Sequence, residues 1–295
     1  MTDRTALGDR MKEYEVVTRT VLPPRTYSVL RVDGRAFHSL LRRAEKPFDY
    51  NFMTCMDSTA VALCEEIQGA VFGYVQSDEI SVLVADAGSN SQPWFDGGVQ
   101  KQVSIAAATA TAHLNAWRYG GKHADPPANR LATFDARVFT LPDATEVANY
   151  FIWRERDAVR NSIAMAAQAK FSHKRLHGVN TDRMISMLLA EHGINWNDYP
   201  DGAKRGRVVA RASGEREVTF THKRSGETET VVAVRSWWEA RPAPHFTADP
   251  DGWLAGMIPA LPDLDLAEEF EAHAEESLAL ARETFDAVVE TWPAK

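Results

Sequence analysis

Apolar residues in the first third of the chain form three short runs and one periodic stretch. The runs Ser28–Val32, Ala70–Val75 and Ile80–Val84 have the length and β-branched content of strands. Between the first two runs, apolar residues recur at spacings of three and four, which predicts one buried face of a helix. These residues are Met53, Met56, Ala60, Leu63 and Ile67. The polar residues Gln76–Glu79 separate the second and third runs and predict a hairpin bend.

A second helix and a fourth strand follow. Small apolar residues spaced for one helix face run from Val99 to Trp117, and Leu131–Leu141 holds another β-rich run. The resulting order is that of the split βαββαβ unit. The fold class predicted is therefore α+β, with a ferredoxin-type βαββαβ core.

The rest of the chain predicts added helices and then a C-terminal extension. Asp143–Phe171 is expected to form one long helix or two nearly continuous ones, and Thr181–His192 a shorter helix. Residues 206–235 hold three short β-rich runs expected to form hairpins, and an acidic amphipathic helix follows the proline-rich stretch 241–262. The predicted divisions are a catalytic core over 1–142, a helical continuation over 143–211, and C-terminal hairpins with the acidic helix over 212–295.

Charge is distributed unevenly along the chain. The formal net charge of -8 argues at first against a nucleic-acid partner. However, Asp263–Lys295 alone carries ten acidic residues against two basic ones, so the remaining chain is neutral overall. Basic stretches such as Arg154–Arg183 can therefore still bind phosphate, although a solvated helix face is the alternative account of that stretch.

Membrane and redox signals are weak. No stretch of about 18 apolar residues occurs, and Met1–Lys12 is polar rather than signal-like. Cys55 and Cys64 fall within the first predicted helix at a spacing that suits no metal site, so we expect buried free thiols. These features predict a soluble, cytoplasmic protein with no membrane partner.

Two carboxylates mark a candidate site. Asp33 ends the first strand and Asp78 lies in the hairpin bend. We expect the two central strands to lie side by side in parallel, which brings both side chains to one edge of the sheet. Converging carboxylates repel unless a cation lies between them, and one or two divalent cations with oxygen ligands are the usual solution. A metal pair predicts nucleotidyl transfer, whereas Asp-Gly and Asp-Glu as ordinary turn residues are the alternative.

Several short motifs occur in a fixed order between about Leu7 and Arg211. They are Arg31–His38, Lys46–Asp49, Gln76–Glu79, Phe134–Val138, Trp153-Arg154 and Gly193–Asn197. In order and spacing they resemble the successive motifs of the tRNA-histidine guanylyltransferase family. Residues 212–295 match no pattern that we can assign.

The resemblance implies a palm-like catalytic domain and a 3′-to-5′ nucleotide polymerase acting on the 5′ end of tRNA. In that family a nucleoside triphosphate first activates the 5′-phosphate, and the 3′-hydroxyl of an incoming nucleotide then attacks the activated end. The resemblance also implies two Mg²⁺ ions, the substrates GTP and ATP, tRNA as partner, and a homotetramer built as a dimer of dimers.

The same resemblance implies a set of site residues. Catalytic residues would be Asp33, Asp78 and Glu79, and the ligands of the two Mg²⁺ would be Asp33, the Gly34 carbonyl and Asp78. The nucleotide would be bound by Gly34, Arg35, Ala36, Phe37, His38, Lys46, Asp49, Ser77 and Lys101. The expected contacts to tRNA or its phosphates are Arg31, Arg154, Arg160, Asn161, Lys174 and Arg175.

One departure from the family pattern bears on the substrate. Eukaryotic members carry His-Ile-Asn-Asn shortly after the Trp-Arg pair, whereas this chain has Val159-Arg160-Asn161-Ser162. The replacement of His by Val resembles the like-proteins of bacteria and archaea, which repair 5′-truncated tRNAs by template-dependent addition. The resemblance therefore favours templated repair over dedicated addition of an unpaired G.

Two other functions remain open at this point. Nucleotidyl or diguanylate cyclases share a palm-like core, but this chain has no Gly-Gly pair before the acids of the bend. A non-catalytic tRNA-binding protein on the same fold is the second alternative. Retention of Asp33, Gly34, Asp78 and Glu79 together argues against it.

Overall fold

A computed structural model describes residues 5–86, 92–119, 131–222, 226–248 and 252–261. The chain divides into two compact units, Met1–Ala260 and Leu261–Lys295, and the described helices and strands all lie in the first. The predicted acidic helix after Asp263 lies outside the described residues.

The described elements bear out the α+β class. The helices are α1 Ala6–Val16, α2 Phe37–Leu40, α3 Tyr50–Glu66, α4 Val99–Tyr119, α5 Ala144–Gln168, α6 His173–Leu176, α7 Thr181–His192, α8 Asp201–Lys204 and α9 Trp253–Met257. The strands are β1 Tyr27–Gly34, β2 Ala70–Gln76, β3 Glu79–Ala85, β4 Phe134–Leu141, β5 Arg207–Thr221 and β6 Thr228–Pro242. Short 3₁₀ turns lie at Trp94–Gly97 and Trp196–Asp198.

The six strands form one sheet in the order β4-β1-β3-β2-β5-β6. The first four have the order of the predicted βαββαβ unit, but the central strands β1 and β3 are antiparallel, so the expectation of a parallel pair was wrong. The reason is topological. The crossover through α3 makes β1 and β2 parallel, and the hairpin then returns β3 between them in the opposite direction.

Helices cover both faces of the sheet. On one face, β1 and β3 contribute Leu30, Val32, Ile80 and Val82 to a buried cluster with α3 and α4. Small residues such as Ala60, Ala106 and Ala110 are fully buried there, which allows the helices to approach closely. On the other face α5 packs through Tyr150 and Phe151, whose rings meet Phe139 and Phe72. One helical layer therefore closes the core, and the other, α5, faces the strand end that carries Asp33.

The C-terminal β structure differs from its prediction. Three separate short strands were expected, but β5 and β6 are each 15 residues long and pair over their whole length. Only Arg207–Val209 of this hairpin also pairs with β2. Among the described strands, the rest of the hairpin pairs on one side only, which the hydrophobic pattern alone does not reveal. No helix in the described part of the chain is both long and apolar enough to cross a membrane.

Candidate active site

The end of β1 and the β2-β3 bend meet at one edge of the sheet. Asp33 lies opposite Glu79 in the antiparallel ladder, and the Gly34 N–H donates to the Asp78 carbonyl over 3.0 Å. This hydrogen bond fixes the bend against the strand end. Asp33 and Asp78, which we call the carboxylate pair, consequently line the same cleft.

The carboxylate pair has no lysine or arginine partner among the described residues. Burial raises the pKa of Asp78 and the charge of Asp33 raises it further, while hydrogen bonds from its own backbone and from Ser77, and the charge of His38, oppose the rise. Within the described ranges, no lysine or arginine lies at ion-pair distance from either carboxylate, and no cluster of three or more Asp, Glu, His or Cys residues could hold a metal by itself. Two half-buried oxygen donors of like charge suit a hard divalent cation, with the Gly34 carbonyl as a neighbouring oxygen.

Glu79 lies in a different environment, although it directly follows Asp78. Arg154 on α5 donates two hydrogen bonds to the Glu79 carboxylate, from Nε to Oε1 over 2.8 Å and from Nη2 to Oε2 over 2.9 Å. Arg31 Nε lies 3.8 Å from Oε2, and Gln76 also donates to Oε1. Burial raises the pKa of Glu79, whereas Arg154 and Arg31 lower it. Both oxygens are committed within the protein, so Glu79 positions the edge rather than serving as a free catalytic group.

The turn after β1 has its own steric requirements. A Cβ on Gly34 would lie 2.4 Å from the Phe37 ring, so glycine is required here by packing rather than by a ligand. Phe37 is buried against Phe52 and Phe134. Ala36 has a left-handed backbone at φ 57°, which a residue with a side chain adopts at a cost. The turn is therefore tightly defined, and it leaves the side chains of Arg35 and His38 exposed.

A second pocket adjoins the cleft. Lys46, Asp49, Ser77 and Asn161 line it together with apolar residues such as Met53, and Ser77 and Asn161 also line the cleft of the carboxylate pair. Asp49 has a structural task as well, since it caps α3 by accepting from the Phe52 N–H over 2.9 Å. Three of the predicted nucleotide residues, Lys46, Asp49 and Ser77, are thus brought together next to the pair, and Asn161, which was predicted to contact tRNA, lies with them.

Lys101 is not brought to this edge. It lies in the first turn of α4, with Nζ 4.6 Å from the centre of the Phe95 ring. The segment before α4 hydrogen-bonds to Thr20 and Leu22, and Gln102 reaches Trp94, beside a pocket lined by the opposite ends of β1 and β3 at Ser28 and Ala85. Within one chain, Lys101 therefore does not line the pocket or the cleft.

The residues predicted to contact tRNA separate into two groups. The Arg154 side chain is 7% exposed and bonded to Glu79 and Asp157, and Arg31 is also largely buried, so neither is placed to contact tRNA. Arg160, Asn161, Lys174 and Arg175 are exposed. Arg175 is partly occupied by two hydrogen bonds to Glu191 at 2.6 and 2.7 Å.

Asp157 is a site residue that the sequence analysis missed. Its carboxylate accepts from Arg154, Arg160 and Asn161, and it lines the cleft. The signal was present, because Asp157 lies three residues after Arg154 and four before Asn161, on one face of α5. This residue links the Glu79 ion pair to the groups that border the adjoining pocket.

Comparison with known proteins agrees with the motifs. The family model of the tRNA(His) guanylyltransferases matches residues 8–142. The tRNA(His) guanylyltransferase of Schizosaccharomyces pombe is 28% identical over 220 residues, covering 70% of this chain and 81% of the relative. The structure of the same enzyme from Saccharomyces cerevisiae is 23% identical with a TM-score of 0.59, covering 68% of this chain and 91% of that one, which shows a shared fold.

Two solved structures are more similar. A bacterial tRNA(His) guanylyltransferase (Thg1)-like protein in complex with ATP is 36% identical with a TM-score of 0.72, covering 86% of this chain and 99% of that one. A structure of such a protein in complex with GTP is 33% identical with a TM-score of 0.68, covering 86% and 100%. Since this similarity extends over almost the whole of the bacterial protein and includes the motif region, the chain is a member of the tRNA(His) guanylyltransferase family of nucleotidyltransferases.

Proposed function

We propose that this protein adds nucleotides to the 5′ end of tRNA in the 3′-to-5′ direction, after a nucleoside triphosphate has activated the 5′-phosphate. GTP and ATP are the proposed substrates, in line with the two bacterial relatives bound to these nucleotides. The observation that supports this proposal is the carboxylate pair, Asp33 and Asp78, which lines a cleft beside a pocket lined by Lys46 and Asn161.

The residues at the sheet edge fit a metal requirement. Asp33, Asp78 and the Gly34 carbonyl would hold two Mg²⁺ ions, which when bound would activate the attacking hydroxyl and stabilise the departing pyrophosphate. Glu79 does not compete for this role, because Arg154 occupies both of its oxygens. The ion pair instead fixes the start of β3, and through it the position of Asp78.

The adjoining pocket supplies nucleotide binding in this proposal. Lys46 offers an ammonium group for phosphate charge, and Ser77 stands between pocket and cleft with a hydroxyl that can donate to a phosphate oxygen. Apolar residues such as Phe52 and Met165 form a surface for a base. The backbone of residues 34–38 would hold the triphosphate beside the carboxylate pair.

Template-dependent repair is the form of the reaction that we propose. Val159, which stands where eukaryotic members have His, packs against the buried cluster of α5 and α7 that contains Ile163, Leu188 and Trp196. In this chain Val159 contributes apolar packing, and the imidazole that a His-dependent selection of one tRNA would use is absent from this position.

Assembly and location are also proposals. We propose a homotetramer in the cytoplasm. The free, buried state of Cys55 and Cys64 suits a reducing compartment. Val232 and Val234 on the β5-β6 hairpin are 63% and 67% exposed, and they offer apolar area for contact between subunits.

The test is extension of a 5′-monophosphorylated tRNA that lacks its first nucleotide. The RNA is incubated with protein, Mg²⁺, ATP and GTP, and its length is followed on a sequencing gel, with tRNAs that differ in the opposing template base as matched substrates. We expect one-nucleotide extension only with the complementary triphosphate. Cyclic or dinucleotide products without extension would contradict the proposal, and so would extension that ignores the template base for its templated part.

A further inference from the structure

A cavity rich in arginine is lined in part by the turn that follows β1. It has a volume of about 550 Å³, larger than the roughly 310 Å³ cleft of the carboxylate pair. Its polar lining consists of Arg35, Ser39, Arg42, Arg43, Arg118 and Thr133. We call it the arginine cavity. It draws on three separate parts of the chain: the α2 turn, the end of α4 and the approach to β4.

Three of the four arginines that line the arginine cavity have no acidic partner among the described residues. No acidic side chain is among the described residues that line it. Arg35, Arg42 and Arg43 have no carboxylate at ion-pair distance within the described part of the chain, and all three are exposed. Guanidinium groups gathered around one cavity repel one another and together favour an anion between them. This arrangement points to an anionic ligand.

The arginine cavity lies close to the carboxylate pair. Arg35 directly follows Gly34, so its Cα lies within about 7.6 Å of the Cα of Asp33 along the chain. The Arg35 N–H donates to the Thr133 carbonyl over 2.9 Å, which holds the rim of the cavity against the strand end. The cavity therefore lies at the same end of the sheet as the carboxylate pair, whereas the adjoining pocket borders the pair through Ser77 and Asn161.

The lining selects phosphate groups rather than a whole nucleotide. Guanidinium forks match phosphate oxygens in pairs, and Ser39 adds a hydroxyl. No aromatic side chain is among the described residues that line the cavity, so these residues offer phosphate contacts rather than a ring on which a base could stack. A ligand held by its phosphates alone, next to a site that acts on a 5′ end, is the backbone of a nucleic acid.

We propose that the arginine cavity binds the sugar-phosphate backbone of the RNA whose 5′ end lies at Asp33 and Asp78. This inference rests on the proposed function for the identity of the RNA. Arg42 and Arg43 would each neutralise a phosphate and would set the reach of the 5′ end into the cleft, while neither takes part in nucleotide binding or chemistry.

The test compares the double variant Arg42→Gln/Arg43→Gln with a control of equal charge change, Arg10→Gln/Arg19→Gln. Arg10 and Arg19 are exposed arginines outside the cavity. Affinity for the 5′-truncated tRNA is measured by fluorescence anisotropy without nucleotide over a series of salt concentrations. We expect the cavity variant to bind about ten- to hundredfold more weakly and the slope of log affinity against log salt to fall by about 1.4 to 1.8, while the control changes little.

Kinetics distinguish the sources of phosphate. We expect the KM for tRNA to rise in the cavity variant, with kcat at saturating tRNA and the KM values for GTP and ATP unchanged. A rise in the KM for GTP or ATP with unaltered RNA binding would overturn the inference in favour of a free nucleotide. Equal salt slopes for the cavity variant and its control would overturn it as well. Salt-dependent RNA binding that needs Arg42 and Arg43, in a wild-type protein that extends no RNA, would uphold the cavity and contradict the proposed function alone.

Discussion

Asp78 and Glu79 are consecutive acidic residues with opposite surroundings. Asp78 lies in the hairpin bend beside Asp33 with no lysine or arginine at ion-pair distance among the described residues, whereas Glu79 lies under α5 and is held by Arg154 and Arg31. Both Glu79 oxygens are bonded to an arginine, and neither carboxylate of the pair is. Acidic residues adjacent in sequence therefore need not share a chemical role, and their partners decide which one can bind a ligand.

The largest effect is expected when one carboxylate of the pair is removed. Asp33→Ala or Asp78→Ala should lower nucleotide addition by about 10³-fold or more, because several kcal/mol of charge stabilisation at the reacting phosphate would be lost. Asp135→Ala is the matched control, since Asp135 lies opposite Asp33 on β4 but is 61% exposed and next to Arg137. Initial rates of tRNA extension measure the effect.

The thermal unfolding of these variants provides the second half of that test. Removing one of two repelling acids should leave the metal-free fold intact, so the melting temperature should not fall. An aspartate variant that keeps full activity, or a control that loses as much activity as the aspartate variants, would show that the carboxylate pair is not the centre of the chemistry.

A smaller effect is expected when the ion pair between Glu79 and Arg154 is broken. Arg154→Met should lower the free energy of unfolding by about 3–5 kcal/mol, because it leaves Glu79 buried without its partner. Urea denaturation measures this loss. Arg160→Met is the matched control, because Arg160 binds the same Asp157 but is 62% exposed, and it should cost about 1 kcal/mol or less.

The double variant Glu79→Gln/Arg154→Met sharpens the result. It removes both charges and should recover part of the stability that Arg154→Met loses. If the double variant lost as much stability as the two single variants together, the two side chains would not act as a pair.

The smallest expected effect concerns pH. Because burial and Asp33 raise the pKa of Asp78, the folded protein binds this proton more tightly than the unfolded chain. The free energy of unfolding should therefore fall as pH rises from the ordinary value of 3.8 through the raised pKa, relative to Asp78→Asn. Thermal melts in chelator from pH 4 to pH 8 measure the difference between the two proteins.

Addition of Mg²⁺ at neutral pH should reverse the sign of that comparison. An ion that binds only the folded state raises the melting temperature, and it should do so for the wild-type protein more than for Asp78→Asn. Equal responses of the two proteins to Mg²⁺ would place the ion elsewhere.

Much of the fold follows from local pattern. The period of α3 and α4 and the β-rich runs of β1, β2 and β3 were sufficient to predict the βαββαβ order, because each element buries one face in a single core. The direction of β1 relative to β3 could not be predicted from local pattern. It depends on which strand enters the middle of the sheet, and no residue spacing within a strand encodes that choice.

The site was predictable in part for a similar reason. Asp33 and Asp78 lie at element ends, where motif and turn signals are strong, and the structure brings them together. Arg154 was expected at the surface, because a basic residue on an amphipathic helix usually is. Its burial requires a buried carboxylate 75 residues earlier in the chain, and a single sequence does not show that pairing. The position of Lys101 and the length of the β5-β6 hairpin likewise depend on contacts with residues distant in sequence, so they could not be predicted from local pattern.

The antiparallel ladder of β1 and β3 also fixes the length of the bend at residues 77–78. Side chains alternate between the two faces of a strand, so one residue inserted or deleted in this bend would turn Glu79 away from Arg154 and bring Ile80 toward it. The same slip would move Asp78 off the Gly34 hydrogen bond and away from Asp33. The length of this two-residue turn therefore determines which side chains of β3 face α5 and which face the opposite helical layer.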